Sequence, residues 1–189
     1  MKTLATTIVL LLSITFYSQS FKASSEYSIT NFSTELNAIN YNSNSQVELH
    51  LYKGEEIITK LTSLTKENLD TFLSVQVEVL ENPTLVNVEK VIRVRFEYVA
   101  GCSDFETQYF IQSNDGSITT LPTTEFTFCE YATAKIEYIF PSQEFGEANT
   151  IIKSNSYLDE NKVTDSIFVL EKTVWKETNT TEGFTVAVK

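Results

Sequence analysis

One histidine, two cysteines and five glycines in 189 residues leave few reagents for the common enzyme chemistries. A zinc site made of imidazole and thiolate needs about four such ligands. Only His50, Cys102 and Cys129 could supply any. A Ser-His-Asp or Cys-His arrangement would have to use His50 as its base. His50, however, sits beside Glu48 on the polar side of an alternating run, which is the place of a solvated side chain. Phosphate loops and dinucleotide fingerprints need closely spaced glycines where the backbone approaches a phosphate, and the five here are scattered. Three prolines, no glycine-rich break and no internal repeat leave nothing that would divide the chain after residue 45. Beyond the amino terminus, no apolar run approaches the roughly 20 residues of a spanning helix.

The amino terminus has the layout of an export signal. Lys2 precedes an apolar stretch, Leu4 to Phe16, which has no polar face and is followed by Ser18 and Ser20. Small residues at these places mark a cleavage after Ser20. We therefore expect residues 1–20 to be a signal peptide and the product, secreted or periplasmic, to begin at Phe21. No cysteine lies near the cleavage point to carry a lipid. Loss of Lys2 leaves 13 basic residues against 25 acidic ones, a balance of −12. Such a surface repels phosphate backbones and anionic bilayers. Nucleic acid and membrane are thus poor partners, and a neutral or basic protein, a peptide or a glycan is the better expectation.

Residues 21–45 are rich in Ser, Asn and Thr and read as a linker or a loosely attached first strand. From residue 46 to 189 the dominant period is two. Val47, Leu49 and Leu51 alternate with Glu48, His50 and Tyr52, and Ile92, Val94, Phe96 and Tyr98 alternate with Arg93, Arg95 and Glu97. Strict alternation marks strands with one wet and one buried face, the antiparallel habit. About ten strands are expected, near 47–52, 55–61, 74–80, 88–98, 105–112, 117–121, 126–140 (one strand or two), 149–158, 163–175 and 184–188. One short helix, Thr65 to Leu73, is capped by Thr65. The fold class is all-β, an antiparallel β-sandwich of Ig-like or jelly-roll-like kind. Uneven segment lengths argue against an evenly built barrel.

Two hairpins can be placed in register. A three-residue loop Tyr52-Lys53-Gly54, with Gly54 left-handed, would set Leu49 opposite Ile57, Val47 opposite Thr59 and His50 opposite Glu56. A turn at Asp115-Gly116 would set Phe105 opposite Phe126, Thr107 opposite Thr124, Ile111 opposite Thr120 and Phe110 opposite Leu121. The same register brings Cys102 against Cys129, and an exporting compartment favours their oxidation. Pro122 cannot donate to the ladder and calls for an edge or a bulge there.

The remaining chemistry is carboxylate chemistry. Pairs such as Glu125 and Glu130 could in principle support glycoside hydrolysis, which needs no histidine, but 25 acids make pairs inevitable. Asp159, Glu160 and Asp165 form an oxygen-rich stretch of the kind calcium accepts, without an EF-hand pattern; a polar turn explains it equally. Trp175 reads as a packing residue, with a sugar platform as the other use. The expected function is non-catalytic binding through loops near 99–104, 113–116, 141–148 and 158–163. Phe145 stands out because it is apolar where a turn should be polar; it either anchors a partner or tucks back onto the core. The competing readings are a small carboxylate-dependent hydrolase and a β-barrel holding an apolar ligand. No cofactor is expected beyond the calcium option.

Overall fold

The computed structural model describes residues 18–29, 47–129, 132–158 and 164–176. Within them the chain forms β1 (Lys22–Ala23), β2 (Tyr27–Ile29), β3 (Val47–Lys53), β4 (Glu56–Leu64), α1 (Lys66–Thr71), β5 (Phe72–Glu81), β6 (Val88–Ala100), β7 (Cys102–Ser113), β8 (Ile118–Thr120), β9 (Thr124–Cys129), β10 (Ala132–Ile139), β11 (Thr150–Leu158) and β12 (Thr164–Val174). The fold is all-β, antiparallel and sandwich-like, with one short helix among the described residues. The expected strand at 184–188 lies outside the described residues.

The nine-stranded sheet runs β1-β5-β6-β7-β9-β10-β11-β12, with β8 also on β7, and a second sheet holds β2-β3-β4. From β5 onward the large sheet is a meander, not the Greek-key order of immunoglobulin and jelly-roll sandwiches. Among the described residues its ends do not meet, and no barrel closes. In α1, Thr65 accepts from the Asn68 backbone N–H while the Asn68 side chain returns to the Thr65 N–H, a complete capping box. The helix stops after six residues because Phe72 turns extended and starts β5.

Two cores lie on opposite faces of the large sheet. On its front face Ile92, Val94, Phe96, Phe110 and Val79 meet Val47, Leu49, Leu51, Leu61, Leu64 and Tyr27 of the small sheet. On its back face Leu80, Val91, Tyr109 and Ile111 meet Leu85, Tyr138, Phe140 and Ile151, with Phe21 and Trp175 packed alongside. β10 makes this second core possible. It pairs with β9 only at Ala132 and Thr133 and with β11 from Ala134 to Ile139, so the meander turns a corner there.

Burial on both faces corrects the expectation of a wet face on β6. Arg93 is only 8 % exposed, because β10 and Phe21 cover it. Its Nε and Nη2 reach Glu78 at 2.9 and 2.8 Å, a two-pronged pairing that offsets the cost of burying the charge.

Both hairpin registers also differ from expectation, in opposite senses. At the first, Lys53 pairs with Glu56 and Tyr52 with Ile57, leaving a two-residue turn, Gly54-Glu55. Gly54 alone of the two has positive φ (60°), as the first position of a type II′ turn requires. Two register shifts along the ladder then place His50 opposite Lys60 and Val47 opposite Leu64, not Glu56 and Thr59. At the second, Ser113 and Ser117 close a three-residue loop ending in Gly116, φ 84°. Phe110 therefore faces Thr120 and Ile111 faces Thr119, one residue away from expectation. Beyond Pro122 the return strand has gained one residue, a bulge, and the expected pairs Phe105–Phe126 and Thr107–Thr124 are restored.

Candidate binding loops

The antiparallel order sorts the connections to two ends. At one end lie Gly101, between β6 and β7, and the Cys102–Cys129 disulfide, whose Cα atoms are 4.9 Å apart. At the other lie the β5–β6 loop (82–87), the β7–β8 turn (114–117), the β10–β11 loop (140–149) and Trp175. Hydrogen bonds tie this second end together. Ser142 N–H donates to the Pro83 carbonyl, Asn114 N–H to the Asn87 carbonyl and Trp175 N–H to the Asn149 carbonyl. Trp175 Nε1–H adds a bond to the Val86 carbonyl at 3.0 Å, and Asn149 donates to the Trp175 carbonyl. Trp175 is thus a packing residue that joins two loops.

Backbone strain is concentrated here. Every non-glycine residue with positive φ among the described residues lies in these two longer loops: Asn82, Thr84, Asn87, Phe145 and Asn149. Asparagine tolerates the left-handed region through local hydrogen bonding, whereas a β-branched or aromatic residue there is a true outlier. Thr84 (φ 63°) and Phe145 (φ 63°) are such outliers. Buried Pro83 and Leu85 anchor the 82–87 loop from below, leaving Thr84 and Val86 exposed.

Phe145 does not tuck back. Its side chain is 56 % exposed. The turn that carries it is held by Gln143 N–H to the Phe140 carbonyl, Gly146 N–H to the Gln143 carbonyl and the Gln143 side chain accepting from Phe140 N–H. Gly146 is required by space, since a Cβ there would fall 2.3 Å from the Phe140 carbonyl oxygen. A rigid turn therefore presents an aromatic ring to solvent. Exposed Glu81, Glu89, Asp115, Glu144 and Glu147 lie in or beside the connections of this end. Asp115 accepts from the Ser117 hydroxyl and then from its N–H, which lower its pKa. Lys172 pairs with Glu147. Beneath, Lys90 is 5 % exposed and contacts Glu26, Glu81 and Glu89. Burial opposes its charge, but these carboxylates outweigh burial and raise its pKa.

Of the four expected binding loops, 113–116 and 141–148 meet at this end and 99–104 lies at the opposite one. Beyond Leu158, the 158–163 loop falls outside the described residues, as do Asp159, Glu160 and Glu130. The backbone of Asp165 lies in β12, and no structural account of a calcium loop follows. The 82–87 loop was not among the expected ones, although Asn82-Pro83 and Asn87 are turn signals that could have found it. Among the described residues, no group of three His, Cys, Asp or Glu is placed to hold a metal. His50, partly buried, stands edge-on to Tyr52 at 6.4 Å. A second exposed apolar strip runs along Tyr157, Phe168, Val169, Leu170 and Val174. Tyr157 lies on β11 and the other four on β12, the last described strand of the large sheet, where two register shifts blunt the edge in the manner of protected edge strands. Compared with known protein families, curated proteins and solved structures, the chain matches none.

Proposed function

We propose that the protein is an exported, non-catalytic binding module that grips a neutral or basic protein, peptide or glycan with its loop end. The observation that carries this reading is Phe145, exposed and held in a left-handed conformation by a turn that the fold fastens from several sides. Strained, over-determined residues collect at binding and active sites, and an exposed aromatic on a rigid support loses little entropy on contact. The exposed carboxylates of this end favour a basic partner. Export is supported by the composition of the first twenty residues and by the disulfide, which persists in oxidising compartments.

The test is a panel of neutral and basic peptides and glycans titrated against the wild type and Phe145→Ser. The variant should fold normally, since the ring is exposed, and should lose at least about tenfold in affinity for any binder, which corresponds to about 1.4 kcal/mol. Affinity should also fall as salt rises. Binders indifferent to Phe145 would move the site elsewhere, and a hydrolytic activity abolished by carboxylate substitution would replace the reading altogether.

A further inference from the structure

The stretch Phe21 to Ile29 crosses from one face of the large sheet to the other. Phe21 lies on the back face, with ring centroids 6.2 Å from Tyr109 and 6.1 Å from Phe140, and the Arg93 guanidinium 4.0 Å from its own centroid. β1 then runs along the outer edge of β5, with Lys22 opposite Val79, Ala23 opposite Glu78 and Ser24 N–H donating to the Val77 carbonyl. On the front face, Glu26 meets Lys53 and Lys90 at 2.9 and 3.2 Å. Tyr27 is buried in the first core, its hydroxyl donating to Gln112 at 3.0 Å. β2 goes on to pair with β3.

The two anchors are unequal. The Tyr27 anchor combines full burial, a three-stranded ladder and a buried lysine. The Phe21 anchor is a half-buried ring followed by a two-residue strand whose side chains are exposed. Upstream, among the described residues, only the bond from Gln19 N–H to the Ser142 carbonyl is added, and cleavage after Ser20 would remove it.

We propose that Phe21 to Ser25 is a latch: it swings off β5 about a fixed hinge at Glu26–Tyr27 while the rest of the fold stays closed. Opening would bare the outer edge of β5, a ten-residue strand that has no other neighbour on that side among the described residues. It would also empty the slot between Tyr109, Phe140 and Arg93. That slot suits an aromatic side chain, because two rings and a cation line it. The latch thus controls whether a bare strand edge and an aromatic-receiving slot are offered together.

Native-state hydrogen exchange on the full chain tests this. Segments 22–24 and 77–79 should open at least about tenfold more often than 27–29, 47–53 and 88–100, as a local opening requires. Phe21→Ala should speed exchange further at 22–24 and 77–79 and leave 27–29 and 47–53 unchanged, whereas Phe21→Leu should restore the closed pattern. Exchange of the arm in step with β6 and β7 in the wild type would overturn the latch. So would a Phe21→Ala variant that loosens β2, β3 and β6 equally, because Phe21 would then be an ordinary core residue. Unchanged exchange at 77–79 in that variant would also refute it.

Discussion

The two ends of the sandwich solve the same problem by different means. At the disulfide end the β6–β7 connection is a single residue, Gly101, at φ 92°, and a covalent bond clamps β7 to β9. At the loop end the connections are longer and carry five left-handed non-glycine residues, and hydrogen bonds between loops do the holding. One end saves chain entropy by being short and cross-linked. The other spends strain to fix a surface. Rigid surface loops presented by a scaffold are where recognition residues concentrate, so the contrast locates the proposed function at the end that pays for its shape in backbone strain.

The largest effect is expected from unclamping the first end. Cys102→Ser or Cys129→Ser should each cost about 3.5 kcal/mol, the loop-closure entropy for a separation of 27 residues. Denaturant unfolding of the two variants should give similar losses, because both remove one cross-link. Clearly unequal losses would mean that the cysteines contribute separately.

A smaller loss should follow at the other end. Gly146→Ala forces a methyl against the Phe140 and Pro141 carbonyls and should cost about 2 kcal/mol or more. Proteolysis should then cut the 140–149 loop faster while the disulfide end stays protected. Equal susceptibility at both ends would show that the loop end is not an independently held unit.

Alkaline titration reaches both ends at once. Burial pushes Tyr98, near the disulfide end, and Tyr138, near the loop end, up to about 12 from 10. A phenol that keeps its proton longer when folded contributes stability below pH 10 and loses it as pH rises from 10 to 12. Tyr98→Phe and Tyr138→Phe should each remove part of that loss, about 1 kcal/mol apiece at pH 11, the effect at half-buried Tyr98 being the smaller for its exposure. Equilibrium unfolding at pH 9 and 11 measures it, and a variant with the wild-type pH profile would clear its tyrosine of the effect.

The strands were legible because period two survives in Val47–Leu51, Val75–Val79 and Ile92–Phe96, where one side of each strand is buried whatever covers the other. The cap at Thr65 was legible because capping is local. Arg93 was misplaced because a polar residue in an alternating strand reads as wet unless one knows that β10 folds back over it. The first register, and the second near its turn, failed for a related reason, while Phe105–Phe126, Thr107–Thr124 and Cys102–Cys129 fell where expected. Bulges between Glu48 and His50 and at Pro122 answer to packing across sheets, and a single strand contains no record of them beyond the proline itself. Phe145 was visible as an anomaly. Its exposure was not, because whether a loop aromatic folds inward depends on the turn that holds it.

The extra residue at Pro122 has a consequence for how the chain oxidises. The three-residue turn at Gly116, continued without correction, would put Phe128 where Cys129 now stands and send the Cys129 thiol to the opposite side of the sheet. Only a hairpin that has absorbed the insertion brings the sulfurs together. Oxidation therefore acts as a proofreading step: the cross-link seals chains that are in frame and passes over those that have slipped by one. Inserting one further residue beside Pro122, more than the bulge absorbs, should yield a protein that still makes hairpins but leaves two titratable thiols, whereas deleting Pro122 should leave the cross-link in frame.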